Sequence, residues 1–293
     1  MWVFFSILGP LFWSISNIID KYVLTKWVKK PLVPIVVTSI ICLAVGLIIY
    51  STVGFLYLSY LNVFLAILTG IITILIYVLY FKALQIQEAS RVIPLFYLSP
   101  LFILILAAVF LNEVFTPLKY LGIFLVIGGT ILISVKNFSK ISFGKAFWWM
   151  ILAAGLDAIN AVLTKHLLNL ADFWTIFGYK NIGMFIGSIP ITYFYLDELI
   201  RTVKQYGKKV VIAISASETI TLIGTLFFTI AMFIGYVTLT RTLSSIQPFF
   251  VLLFTLLLSI FYPLILKEEL GKLVISQKIL AIILMFIGVI LIT

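Results

Sequence analysis

The sequence predicts an all-α integral membrane protein with ten transmembrane helices arranged as two inverted five-helix repeats. Composition is the first reason, since 63% of the 293 residues are hydrophobic and only 10% are charged. A soluble domain carries about 25% charged residues, and a soluble chain this apolar would expose large sticky patches. The other two reasons are a series of long apolar segments and a set of features that occurs once in each half.

Ten apolar segments are separated by short stretches that contain charges, glycine or proline. A helix needs about 20 apolar residues to cross a bilayer, and it satisfies its backbone polar groups internally. The first segment has no basic start and no small-residue cleavage site, so we predict a span and not a cleaved signal peptide. The predicted segments are 2–24, 33–56, 60–83, 89–111, 117–135, 145–168, 173–195, 211–239, 243–266 and 275–293.

A basic linker at 136–145 divides the chain into repeats of five segments each, 1–137 and 138–293. Asp20-Lys21 aligns with Thr164-Lys165, and the region of Pro94 aligns with that of Pro248. Because each repeat has an odd number of segments, the two halves enter the membrane from opposite sides. Inverted repeats of this kind are common among transporters.

The net charge of +10 is explained by membrane insertion and does not indicate a nucleic-acid partner. Of the 20 Lys and Arg residues, sixteen lie at or beside the loops after odd-numbered segments. Lys119, Lys165 and Arg241 lie on the other side, and Lys180 is inside a segment. The positive-inside rule therefore predicts that the odd loops are cytoplasmic and that both termini are outside.

The sequence contains no recognisable catalytic or cofactor motif. Cys42 is the single cysteine and His166 the single histidine, so an internal disulfide and a Cys/His metal site are excluded. There is no Walker loop, dinucleotide fingerprint or Ser/His/Asp set. We expect no enzyme activity, no cofactor and no bound metal.

Three stretches resemble the EamA-like members of the drug/metabolite transporter superfamily. They are "FWSISN" in the first segment, "ASRVIPLFYLSPLFILILAAVFLNE" through the fourth, and "LKYLGIFLVIGGTILI" in the fifth. The resemblance implies ten helices in two inverted repeats and transport of small metabolites, most often export of amino acids. It also implies cytoplasmic termini, which is the opposite of what the charge count predicts.

Polar side chains form stripes along several of the predicted helices. Residues three, four or seven positions apart share one helix face, and polar groups are costly toward lipid. We therefore expect these stripes to line a shared cavity, although Ser and Thr at such positions also serve helix packing. Most aromatic residues of so aromatic a chain are expected to pack or to anchor the membrane interface, but some could line the cavity. The candidates are Trp13, Ser16, Asn17, Thr73, Tyr77, Tyr80, Tyr97, Asp157, Asn160, Lys180, Asn181, Glu218, Thr221, Thr225 and Phe250.

Two prolines, Pro94 and Pro248, are predicted to kink the fourth and ninth helices near the membrane surface. Arg91 flanks one kink, and Arg241 and Gln247 flank the other. The arginines either cap the cavity from opposite sides or are ordinary solvated loop charges. Both readings stay open from the sequence alone.

Three charged residues lie at membrane depth in the second repeat: Asp157, Lys180 and Glu218. An isolated charge there costs about 2.5–3.5 kcal/mol, so such groups pair or face water. We expect Lys180 to pair with Asp157 or Glu218, while the other carboxylate faces the cavity and holds a proton or a substrate amine. The alternative is a structural ion pair with Glu218 at the interface.

Together these observations predict a multi-pass protein of the cell membrane that works as a gradient-driven exporter of small organic metabolites. Its predicted partners are a small-molecule substrate, membrane lipid, a coupled proton or cation, and a second copy packed through the fifth or tenth helix. A flippase or membrane enzyme acting on lipid-linked intermediates is the main alternative. A channel or a receptor is a third class that the sequence leaves open.

Overall fold

The computed structural model describes residues 1–86, 95–134, 144–261 and 272–293, and these ranges contain eleven helical segments. They contain no strands, so the all-α prediction is confirmed. The helices are α1 (Trp2–Lys26), α2 (Pro34–Thr52), α3 (Tyr60–Ile86), α4 (Ser99–Phe110), α5 (Pro117–Ser134), α6 (Lys145–Leu168), α7 (Phe173–Tyr206), α8 (Lys209–Ile234), α9 (Val237–Ser244), α10 (Gln247–Phe261) and α11 (Lys272–Ile292).

Local sequence signals fix several helix ends. Pro34 and Pro117 begin α2 and α5, positions where a missing N–H costs nothing. Asp172 caps α7, and its carboxylate accepts a hydrogen bond from the Thr175 N–H at 3.0 Å. Gly54 and Gly207 follow α2 and α7 with φ of 76° and 81°, a conformation that glycine adopts without strain.

Two predicted boundaries are wrong. The seventh segment does not end at Tyr195, because the polar stretch that follows continues the helix beyond the apolar part, to Tyr206. The break after the eighth segment lies at Gly235-Tyr236 and not at residues 240–244, which are helical in α9. Hydropathy missed this break because apolar residues continue on both sides of it.

The ninth predicted helix is itself broken, at Ser245-Ile246, between α9 and α10. Pro248 lies in the first turn of α10, where proline is tolerated, so the interruption precedes it and is not a kink within a helix. A matching turn at Tyr97-Leu98 precedes Pro100 at the start of α4. Pro94 and Arg91 lie outside the described residues.

Seven described helical stretches are long and apolar enough to cross a membrane. They are Trp2–Lys26, Pro34–Thr52, Tyr60–Ala83, Pro117–Ser134, Lys145–Leu168, Lys209–Ile234 and Val237–Leu257. Large apolar side chains lie exposed along them, including Leu47 and Ile48 of α2 and Phe124 of α5. A surface of this kind is suited to lipid, so the protein is a multi-pass integral membrane protein.

The helices pack in five main pairs: α1 with α8, α3 with α7, α2 with α7, α3 with α6, and α5 with α11. In the last pair, Gly122 and Gly129 of α5 allow α11 to approach at Gly288 and Met285. Gly128 of the same helix faces open space. The outer faces of α5 and α11 expose large apolar side chains, which agrees with a peripheral position.

The pair of α3 and α7 crosses at two glycines, Gly70 and Gly183. A Cβ on Gly70 would overlap the Lys180 carbonyl oxygen, and a Cβ on Gly183 would overlap the Ile67 carbonyl oxygen. The backbones of the two helices therefore touch at this point. The crossing places Lys180 of α7 against the middle of α3.

Loop contacts sort the helix ends into two groups. Lys30, after α1, forms a 3.4 Å ion pair with Glu198 near the end of α7. At the opposite ends, the Leu56 N–H after α2 donates to the Thr175 hydroxyl at the start of α7. We call the first group the odd-loop end and the second the even-loop end.

We expect the odd-loop end to be cytoplasmic, since it carries most of the basic residues. A reporter enzyme that folds only in the cytoplasm, fused at Lys208, should be active, and the same fusion after Thr293 should be inactive. Active C-terminal fusions together with silent Lys208 fusions would contradict this orientation. Western blots of both fusions control for expression.

Candidate functional site: a polar cavity between four helices

A small polar cavity lies between α2, α3, α7 and α8. Its volume is about 40 Å³, and it sits beside the middle of α3 and α8. A water molecule needs about 10–15 Å³ on this measure, so the cavity holds only a few waters. The lining residues are Thr38, Ile41, Cys42, Thr73, Tyr77, Phe177, Lys180, Asn181, Met184, Glu218, Thr221, Leu222 and Thr225.

Two opposite charges line this cavity without pairing with each other. Lys180 of α7 is 8% exposed, and Glu218 of α8 is half-buried. Within the described residues, neither forms an ion pair, and the Lys180 ammonium makes no hydrogen bond. Glu218 lies close to the Thr38 hydroxyl of α2. The cavity thus presents one basic and one acidic side chain, from α7 and α8.

The partner of Asp157 is Arg241 and not Lys180, which corrects the expected pairing. The Arg241 guanidinium donates to Asp157 Oδ2 at 2.6 Å, and the Ser99 hydroxyl donates to the same oxygen. The guanidinium also lies over the rings of Phe96 and Phe228, at 5.5 and 5.3 Å from their centroids. Arg241 reaches Asp157 because the break at Gly235 turns α9 toward α6. The spacing of residues along α6 does not reveal this partner.

Polar stripes on α1 and α8 face one another and are joined by hydrogen bonds. Ser16 Oγ lies 2.8 Å from Ser217 Oγ and 2.6 Å from Thr221 Oγ1. Trp13 Nε1 donates to the Thr221 carbonyl oxygen at 3.2 Å and to Thr225 Oγ1 at 3.3 Å. The α1 stripe therefore supports the cavity wall from behind, and Trp13 and Ser16 do not line the cavity.

The α6 and α3 pair repeats this arrangement. Asn160 Nδ2 donates to Thr73 Oγ1 at 3.1 Å, and Thr73 lines the cavity. Asn160 Oδ1 is buried without a hydrogen-bond partner, and so is Asn181 Oδ1 on α7. Of these two side chains, Asn181 lines the cavity, and Asn160 is connected to it through Thr73.

Several candidate residues lie elsewhere. Asn17 is exposed, because it falls on the outer side of α1 next to the buried Ser16. Tyr80 packs with Ala83 and Met150, and Phe250 packs with the apolar cluster of α5 and α11. Two others, Tyr97 and Gln247, are absent from the lining, although the Gln247 carbonyl oxygen accepts from Ser14 Oγ at 3.2 Å.

The α2 wall of the cavity was missed from sequence. Thr38, Ile41 and Cys42 lie on one face of α2 and all line the cavity. Their spacing of three and four residues was a readable signal, but α2 is so uniformly apolar that two small polar side chains did not stand out. Ser99 and Ser217 were missed for a similar reason, since lone serines in membrane helices are usually structural.

Comparison with known proteins identifies the first half of the chain. Residues 1–135 match the model of the EamA-like transporter family. Residues 1–135 are therefore similar to the EamA-like transporter family, which is part of the drug/metabolite transporter superfamily. The family is one of membrane transporters, which agrees with the spans and the buried polar cavity.

The fold of the whole chain is similar to that of a solved structure. A solved structure, titled only "Crystal structure of protein", superposes with a TM-score of 0.71 at 16% identity, covering 100% of this chain and 96% of the other. At this identity the similarity shows a shared fold. No curated protein matches the sequence.

The glutamate of the EamA-like motif, Glu113, has a structural role in this fold. It is 3% exposed, and its carboxylate accepts hydrogen bonds from the Val237 N–H at 2.8 Å and the Thr238 N–H at 3.1 Å. Glu113 therefore caps the N-terminus of α9 across the two halves of the chain. Glu268, its counterpart in the second half, lies outside the described residues.

Proposed function

We propose that this EamA-like protein is a gradient-driven secondary transporter of small zwitterionic metabolites, with amino acids as the first class to test. The observation that carries the proposal is that a basic and an acidic side chain, Lys180 and Glu218, line one cavity without pairing with each other. A zwitterion can satisfy both, with its carboxylate on Lys180 and its ammonium on Glu218. Export is the direction that the resemblance to EamA-like transporters implies.

The free amide oxygens support the same substrate class. Asn160 Oδ1 and Asn181 Oδ1 are acceptors without donors, and a substrate ammonium brings three donors. A metabolite of amino-acid size does not fit into about 40 Å³, so the helices around the cavity must separate to admit it. Binding that requires such an opening is what alternating access provides.

The ten-helix inverted repeat is part of this proposal, and paired contacts support it. Under the alignment of Asp20-Lys21 with Thr164-Lys165, Ser16 is equivalent to Asn160. Ser16 binds Thr221 of α8, and Asn160 binds Thr73 of α3. Equivalent positions in the two halves, Ser16 and Asn160, thus each bind a threonine of the other half. This is expected when two repeats are related by a two-fold axis in the membrane plane.

We expect the coupling ion to be a proton that binds a carboxylate of the cavity. With no nucleotide-binding motif in the sequence, transport must draw on an ion gradient. Glu218 is the cavity carboxylate on which a coupled proton would reside when the substrate ammonium is absent. Asp157 is held by Arg241 and Ser99 and is the weaker candidate.

The test is ligand binding by variants that remove one charge at a time. Purified protein should be thermally stabilised by some amino acids, because a ligand that binds only the folded state raises its stability. We expect Lys180→Met and Glu218→Gln each to weaken binding about tenfold or more, the effect of losing one hydrogen bond to a charged group. The same substitutions at Lys30 and Glu198, outside the cavity, are matched controls and should leave binding unchanged.

Substrate fragments assign each charge to one end of the ligand. A 2-oxo acid lacks the amine, so its binding should depend on Lys180 and not on Glu218. A primary amine without a carboxylate should show the reverse. Equal binding by all variants would contradict the site, and stabilisation by lipid-linked compounds alone would favour the flippase alternative.

A further inference from the structure

The break between α8 and α9 is flanked by two charged side chains of opposite sign. Lys165 of α6 donates from Nζ to the carbonyl oxygens of Met232, at 2.8 Å, and Phe233, at 3.3 Å, at the end of α8. Glu113 accepts from the first two N–H groups of α9. Each charge has the sign that its helix end favours, positive at a C-terminus and negative at an N-terminus.

These contacts are needed only because the helix is interrupted. A helix end leaves backbone groups without intrahelical partners, and membrane interiors tolerate such groups only when protein or water satisfies them. Gly235 separates α8 from α9, and its neighbours would be unsatisfied without the two side chains. Lys165 belongs to α6, and Glu113 lies in the loop after α4, so the break is held by two parts of the protein that could move apart.

The clamped break lies at the even-loop end of the protein, over the cavity. Phe177 lines the cavity and belongs to the same apolar cluster as Phe228, Met232 and Val237. Met232 and Val237 are also the residues whose backbone groups bind Lys165 and Glu113. The apolar cluster that closes this end is thus fastened by the two charged contacts.

The repeat-related lysine is not engaged in this way. Lys21, which aligns with Lys165, is exposed, and its ammonium binds none of the described residues. Within the described residues, the two repeat-related lysines therefore have different environments. A transporter of inverted repeats has this property whenever it is closed at one end, because alternating access exchanges the conformations of its halves.

We propose that Glu113 and Lys165 form the latch of a gate at the even-loop end, and that the gate opens when α9 leaves these two side chains. The inference rests on the proposed transport function. Release of Glu113 frees the start of α9, and the same short helix carries Arg241, which binds Asp157. Movement of α9 would therefore also move Arg241 and change its contact with Asp157. Glu113 and Lys165 act as positioning residues and do not touch the substrate.

The test uses the native thiol of Cys42, which lines the cavity and is 2% exposed. A charged, membrane-impermeant methanethiosulfonate is applied to either face of the full-length protein in membranes, and the rate of Cys42 modification is measured. Cysteines placed at Tyr57 and at Lys30 in a Cys42→Ser background mark the even-loop and odd-loop faces. Cys42→Ser alone gives the background.

We expect Glu113→Gln and Lys165→Met each to raise the rate of Cys42 modification from the even-loop face at least about tenfold, since a lost hydrogen bond to a charged group has about this effect. Modification from the odd-loop face should fall or stay constant. Glu113→Asp should give an intermediate rate, because it keeps the charge on a shorter side chain. Lys30→Met and Glu198→Gln remove the ion pair of the opposite end and should not raise the rate from the even-loop face.

Three results would overturn the latch. One is an unchanged rate in folded Glu113→Gln and Lys165→Met. Another is an equal increase from both faces, which indicates general loosening. The third is failure of both variants to fold while the controls at Lys30 and Glu198 fold, which would make the contacts scaffold. None of these readouts requires a substrate, so the latch can fail while the proposed transport stands, and the reverse.

Discussion

Replacing Gly183 with alanine should remove most of the folded protein. The added methyl group would overlap the Ile67 carbonyl oxygen of α3, which belongs to the backbone and cannot rotate away. The two helices would have to separate along their whole contact. We expect a loss of at least about 3 kcal/mol, the upper part of the range for overpacked sites. Thermal unfolding in detergent, together with the yield of monodisperse protein, measures the effect.

Gly155 of α6 provides the matched control for this prediction. A Cβ added there meets no atom within 4 Å, so Gly155→Ala should be neutral or slightly stabilising, as alanine is the better helix former. Gly70→Ala, on the opposite side of the crossing, should reproduce the damage of Gly183→Ala. Equal stability of all three variants would show that α3 and α7 do not cross as closely as described.

Removing the carboxylate charge of Asp157 should produce the second large effect. Asp157→Asn leaves the Arg241 guanidinium without its anion. Water cannot readily replace that anion, because the Asp157 and Arg241 side chains are only 15% and 12% exposed. An unpaired charge at membrane depth costs about 3 kcal/mol. We expect a corresponding drop in thermal stability, with loss of substrate-induced stabilisation as a further readout.

A second substitution tests whether the charge is the cause. Asp157→Asn combined with Arg241→Gln removes both charges and should recover most of the stability, since replacing both members of a buried pair is often nearly neutral. Glu198→Gln, which breaks an exposed pair, should cost no more than about 1 kcal/mol. A double variant as unstable as Asp157→Asn would mean that the loss comes from the Ser99 contact or from packing.

Sequence reasoning found part of the cavity and misplaced the rest for identifiable reasons. Lys180, Glu218 and Thr221 were predictable because ionisable or repeated polar residues inside an apolar helix are costly and therefore stand out. Asn17 and Ser16 are adjacent in sequence, yet only Ser16 turns inward. Helical spacing gives the relative angle between two side chains, but it does not say which angle faces the neighbouring helix.

For the charged residues, the sequence predicted their depth in the membrane but not their partners. The sequence placed Asp157, Lys180 and Glu218 at membrane depth and left their pairing open between several partners. Arg241 was placed in a loop, as either a cap of the cavity or a solvated charge, because the end of the eighth helix was set too far along the chain. The break at Gly235-Tyr236 moves Arg241 into α9 and brings it to Asp157 at 2.6 Å.

The sequence by itself determined that this chain is helical, spans a membrane and carries an EamA-like first half. These properties depend on local composition, since a long apolar segment has no other stable form in lipid. Only the tertiary structure decided which polar faces meet, that Glu113 and Lys165 hold the break at Gly235, and that Lys180 and Glu218 share one cavity. Those outcomes depend on contacts between residues far apart in the chain, and on backbone groups whose need for partners appears only once a helix is interrupted.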